Sequence, residues 1–227
     1  MIVTAPTCGS AGVMPALVYA LRHELFIGDR AIREAFLAAA AVGFIAKHNA
    51  SIAGAEVGCQ GEIGVASAMA AAFVADARGY RSRVTENAAE VALEHHLGIT
   101  CDPVQGYVQI PCIERNAMGA LKAYNAAVIT SGTDPYSQRV SLDAAIAAMA
   151  ETGREMSCKI QGNFARRIGR KYGSLLTVAR KRVTDCLFHN ALCRVFSPLD
   201  KYAFGLRVMS MEEARLFWRL HYGTHHR

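Results

Sequence analysis

At 227 residues, with 52% hydrophobic and only 19% charged positions, the chain can bury a substantial core, which excludes an intrinsically disordered protein. Its longest apolar runs, 35–46 and 66–75, are too short and too rich in alanine to span a membrane. The net charge of +6 is unevenly spread: residues 1–158 carry 11 Lys+Arg against 15 Asp+Glu, and residues 159–227 carry 14 against 4. A basic tail of this kind ordinarily points to nucleic acid or an acidic membrane surface.

The opening "IVTAPTCGSAGVMP" reads as a polar, glycine-containing loop, followed by an apolar helix from about Pro15 to Phe26. Asp29 is placed to cap a long helix from about Ala31 to Lys47, with Glu34 near its start. "NASIAGAEVGCQGEIG" breaks the pattern with four glycines, and an alanine-rich helix resumes over 62–78. A further helix starts at Thr85 and stops at Gly98. Asn116 is read as the cap of a helix reaching Ile129, and Ser141 as the cap of one reaching Thr152. Alternation of the strand type is confined to "GYVQI", so the fold class is mainly α: an alanine-rich helical domain with glycine-rich loops.

Those loops carry the polar residues that could form a site. Cys59 lies in one, Cys101 and Cys112 share another beside prolines, and Thr7, Cys8, Gly9 and Ser10 form a third. A free cysteine often packs as a small hydrophobe. Disulfides fit poorly, because the count of seven is odd and no signal peptide precedes the first cysteine. Reduced thiols in a cytoplasmic setting suit a soft metal or an iron–sulfur cluster. The spacings of 42 and 11 residues match neither a zinc pair nor a ferredoxin run. Cys8, His95 or His96 could supply a fourth ligand, but nothing in the spacing demands them.

The longer words say more. "VTAPTCGSAGVMPA", "GAEVGCQGEIGVASAMAAA" and "ALEHHLGITCDPVQGYVQIPCIERNAMGALKAYNAA" resemble, in order, three motif blocks of the iron–sulfur L-serine dehydratase family, its catalytic α chain or domain, over about residues 2–158. The resemblance implies a partial α-type catalytic domain over 1–158, with a [4Fe–4S] cluster held by Cys59, Cys101 and Cys112. It implies a lyase of amino-acid catabolism that removes water from L-serine to give pyruvate and ammonia, with an open-site iron as Lewis acid. It also implies a regulatory β chain or a homo-oligomer as partner. Family α chains carry a further upstream segment with additional substrate-site residues, which finds no counterpart here. Within the chain, Thr7, Gly9 and Ser10 suit a cradle for the substrate carboxylate. Glu56, His48 and His95 are candidate bases, and Arg115 could pair with an acid or face an anionic substrate.

The resemblance stops near Lys159. Where the family continues with a word like "YKETSRGGLAV", this chain reads "IQGNFARRIGRKYG". Codons for Lys159 to Tyr172 can be chosen so that deleting one A restores "KYKETSRGGLAVN". The basic tail, 159–227, is therefore expected to be translated out of frame, which removes nucleic acid from the expected partners and leaves Cys186 and Cys193 without a role. The family's terminal cysteine would be lost with the tail.

Overall fold

The structure, a computed structural model, describes residues 4–101, 103 and 108–157. Seven α-helices account for most of them, and no strand occurs among the described residues. Val108 to Ile110, from the segment read as strand-like, form a turn; Gly106 and Tyr107 lie outside the described residues, as do all residues from 158 onward.

After a 3₁₀ turn at Cys8–Ser10, α1 (Val13–Tyr19) runs on into a π-helical turn, Ala20–Glu24. Helix α2 spans Asp29–Asn49, with Gly28 as its N-cap. Asp29 is thus the first helical residue, not the cap; it meets the Arg22 guanidinium at 3.4 Å. One turn, α3 (Gly54–Val57), leads through a second π-helical turn, Gln60–Gly64, into α4 (Val65–Ala77). Helix α5 is Ser82–Glu94, α6 Cys112–Ser131 and α7 Leu142–Glu155. Ser141 caps α7 as expected, accepting the Ala144 N–H at 3.2 Å. Asn116 does not cap α6, which begins a turn earlier at Cys112.

Helix α4 is the core. Every residue of it except Asp76 is buried, so it has no solvent face and must be surrounded. It packs against α1, α2, α5 and α6. Glycines on two of those neighbours allow close approach: a Cβ added at Gly43 of α2 would stand 2.9 Å from Met69 Sδ of α4, and one at Gly119 of α6 would stand 3.1 Å from Ile63 in the turn before α4. Ser67, buried in α4, donates its hydroxyl to the Gly119 carbonyl at 2.7 Å, leaving no orphan polar group at that crossing. No helix among the described residues is long and apolar enough to cross a membrane.

The core positions the loops at one end of α4. The π-helical turn at its start carries Glu62, and the turn before that carries Cys59. Single π turns inside helices frequently mark functional sites, because the extra residue re-aims a side chain.

Candidate metal centre

Cys59 is presented by a backbone that only glycine can supply. Gly58 has φ +78°, and a Cβ there would lie 2.5 Å from the Ile99 carbonyl oxygen. The loop can therefore lie flat against the segment that precedes Cys101. Gln60, fully buried, fastens the two together. Its backbone N–H donates to Ile99 O at 3.2 Å, its Oε1 accepts the Gly98 N–H at 2.8 Å, and its Nε2 donates to Met149 O of α7 at 3.2 Å. Residues 42 apart in sequence thus become neighbours.

Ligand atoms of Cys59, Glu62 and Cys101 all lie within 4.8 Å of one another. Cys112, the first residue of α6, is buried and close enough for its charge to interact with Cys59 and Glu62. Arg115, one turn further, donates Nη1–H to the Thr100 carbonyl at 2.6 Å and also hydrogen-bonds Cys59.

The electrostatics separate the thiols. Cys59 is pulled down, first by a hydrogen bond from Cys101 and then by the Arg115 cation, against the cost of burial. Cys101 is pushed up, first because it donates to Cys59 and then by burial and the charges of Cys59 and Glu62. The interaction between the two favours the charged form of Cys59 and the neutral form of Cys101. Burial, followed by the Cys59 charge, pushes Cys112 up to about 11, and Arg115 opposes this. Two thiols gathered with a carboxylate, with the Cys112 thiol outside that group but within electrostatic reach, leave a sulfur-rich donor set compatible with an iron–sulfur cluster, which takes thiolates and releases their protons on binding. Cys8, by contrast, is exposed.

The Thr7–Ser10 loop lies against the same centre. Thr7 Oγ1 donates a short hydrogen bond to Glu62 Oε1. Asn116 of α6 grips the loop from the other side: its Oδ1 accepts the Gly12 N–H at 2.9 Å, and its Nδ2 donates to Gly9 O at 2.7 Å and Cys112 O at 2.8 Å. Ser10 is fully buried, with its hydroxyl directed at the carbonyls of Thr7 (3.2 Å) and Ala5 (3.4 Å). It holds the loop's own shape.

The expected bases are placed elsewhere. Glu56 is exposed and accepts a short hydrogen bond from Ser51 Oγ. His48 is exposed in the last turn of α2. His95 is exposed too, with Nδ1 bonded to Val91 O at 2.7 Å. His96 is buried, and its Nδ1 bonds Ala92 O at 2.7 Å; burial pushes it down to about 4. None of these belongs to the group of possible ligands at Cys59 and Cys101.

Residues 1–163 match the serine dehydratase alpha chain family. This chain belongs to that family. The serine dehydratase alpha chain match is supported by curated relatives. L-serine dehydratase TdcG of Escherichia coli is 54% identical over 159 residues, covering 70% of this chain and 35% of that protein. The L-serine dehydratases of Streptomyces coelicolor and Mycobacterium tuberculosis are each 51% identical, covering 70% and 72% of this chain and 35% and 36% of theirs. The chain thus spans about a third of the length of the curated relatives it matches.

Sequence reasoning does not single out two residues of this candidate centre. The sequence points to Glu56, whereas the structure places Glu62 with the thiols. Asn116, expected as a helix cap, instead ties the Thr7–Ser10 loop to the Cys112 helix through its amide. The available signal was its position, one helical turn after a cysteine.

Proposed function

We propose that the chain carries the cluster-binding part of an L-serine ammonia-lyase, a cytoplasmic enzyme that eliminates water from L-serine to yield pyruvate and ammonia. The observation that carries this reading is the convergence of Cys59 and Cys101 beside Arg115 and Cys112, against the Thr7–Ser10 loop, in a serine dehydratase alpha chain. Cys59, Cys101 and Cys112 would hold a [4Fe–4S] cluster, which supplies a Lewis-acidic iron for the departing serine hydroxyl. Arg115 offsets the thiolate charge and pins the Thr100 carbonyl, so Cys101 keeps its place. The loop residues Thr7, Gly9 and Ser10 form the carboxylate cradle, in which Ser10 fixes the turn and backbone N–H groups do the binding. The Thr7 hydroxyl proton is committed to Glu62. Aminoacrylate released from the site hydrolyses in water to pyruvate.

None of the expected bases, Glu56, His48 and His95, belongs to the group at the thiols, which favours a second reading. The chain would then hold the cluster but turn over serine only with groups from a partner, a regulatory β chain or a second copy. Residues from about 160 onward are proposed to be translated out of frame; the end of the family match at residue 163 supports this. Anaerobic reconstitution with iron and sulfide, followed by a pyruvate assay, separates the readings. A cluster with turnover supports the first, a cluster without turnover the second, and no cluster contradicts both.

A further inference from the structure

Glu62 is the polar residue that this reading leaves without a task. It sits in the π-helical turn ahead of α4, and its two oxygens face different parts of the site. Oε1 accepts the Thr7 hydroxyl. A Cβ built on Gly54 would stand 2.9 Å from Oε2 and 3.3 Å from Cys101 Sγ, so that oxygen and that thiol share one wall. The carboxylate is within 4.8 Å of the Cys59 and Cys101 sulfurs.

Two glycines in separate segments make room for it. A Cβ at Gly9 would come within 2.5 Å of Oε1 and 2.7 Å of Oε2, and the Gly54 Cβ would crowd Oε2. Any side chain at either position would displace the carboxylate or the loop. A carboxylate facing solvent would need no such space cleared on two sides.

We propose that Glu62 is a positioning residue that ties the Thr7–Ser10 loop to the thiol centre, so that one carboxylate sets where the substrate's own carboxylate lies relative to the metal. The inference rests on the metal-centre reading above. The chemistry follows from valence. A carboxylate only accepts, and Thr7 has one hydroxyl proton, so the Thr7–Glu62 bond has one direction and fixes the threonine rotamer. Glutamine in its place keeps an acceptor for Thr7 but puts a neutral amide where the second oxygen faced the thiols. Alanine removes both.

The test measures backbone amide exchange across residues 5–12 in full-length wild type, E62A, E62Q and T7V, before and after anaerobic loading with iron and sulfide. Iron per chain is recorded for the loaded proteins, and the electron paramagnetic resonance spectrum after one-electron reduction with dithionite, which makes a [4Fe–4S] cluster paramagnetic. Without iron, E62A and T7V should speed exchange at Ala11 and Gly12, whose N–H groups are bonded to Cys8 O and Asn116 Oδ1, about tenfold, the effect of one lost charge-assisted hydrogen bond, while E62Q stays near wild type. With iron, E62A and E62Q should both show an altered spectrum, and T7V should keep the wild-type one. Should E62A fail to fold, E62Q and T7V carry the two arms between them. Unchanged exchange in T7V, or an unchanged spectrum in E62Q, overturns the proposal. A wild-type chain that takes up no iron fails the metal-centre reading and the coupling with it, whereas failure of the loop arm alone leaves that reading standing.

Discussion

Arg115 reaches back from the first turns of α6 to the carbonyl of Thr100, 2.6 Å away, immediately before Cys101. The same guanidinium hydrogen-bonds Cys59, so one side chain braces both halves of the thiol pair. Removing it as R115A should raise the Cys59 thiol toward the ordinary range, because the Arg115 charge helps pull it down to about 7. Alkylation of Cys59 at neutral pH should slow about tenfold, and iron affinity should fall about 10- to 100-fold, as for lost outer-shell partners of a metal. Mass-spectrometric alkylation rates check the first, competition with a chelator the second.

Asn116 satisfies one loop donor and one loop acceptor through a single amide. N116A strands the Gly12 N–H and the Gly9 carbonyl together. The expected loss is about 1–3 kcal/mol of stability, from unmet polar groups at a partly buried position. Denaturant unfolding of wild type and variant should show a lower midpoint with an unchanged slope.

Gly58 combines φ +78° with an approach that would bring a Cβ to 2.5 Å from Ile99 O. G58A must distort the loop or push the 98–101 segment away, separating Cys59 from Cys101. A cost of roughly 2–4 kcal/mol is expected from the left-handed backbone plus the clash. Iron uptake should fall with it, measured as iron per folded chain.

Two buried groups should shape stability against pH. Burial, reinforced by Glu94, pushes Glu90 up from 4.5 to about 8. Its carboxyl is fully buried, Oε2 accepts a short hydrogen bond from Gln138, and Oε1 has no hydrogen-bond partner among the described residues. The folded state therefore holds this proton where the unfolded chain releases it, and stability declines as pH rises from about 4.5 to about 8. His96 acts at the acid side: held down at about 4 by burial, it costs stability as pH falls from 6.5 toward that value. The E90Q variant should lose the decline between pH 6.5 and 8, where His96 no longer titrates. Chemical unfolding at several pH values reads this directly.

Much of this architecture was legible in the sequence because alanine and glycine mark it locally. The alanine run of α4, the glycine break around Cys59 and the Ser141 cap all follow from short-range rules. Helix starts were less accurate where the structure uses a different device. Gly28 caps α2 in place of Asp29, and α6 opens at Cys112 because Asn116 spends its amide on a distant loop. Glu62 could not be separated from Glu56 by spacing, since a π-helical turn rather than a regular helix aims it. The expected grouping of Cys59, Cys101 and Cys112 came from the resemblance; Gln60, which brings the first two together through two hydrogen bonds and ties them to α7 by a third, carries no local sequence signal.

The proposed change of frame is checked in the DNA. Sequencing the codons for Cys158 to Gln161 should reveal one surplus A, after which the frame reads "KYKETSRGGLAV". A confirmed frame as given contradicts an error in the reading and leaves a tail that the gene itself encodes.

The central claim is that Cys59, Cys101 and Cys112 together hold a [4Fe–4S] cluster. Its most direct test is Mössbauer spectroscopy of the full chain reconstituted anaerobically with iron-57, beside C101S treated identically. The account predicts about four irons per wild-type chain with the signature of a cubane cluster, and its loss in C101S. A wild-type chain without that signature, or a C101S chain that keeps it, would contradict the account.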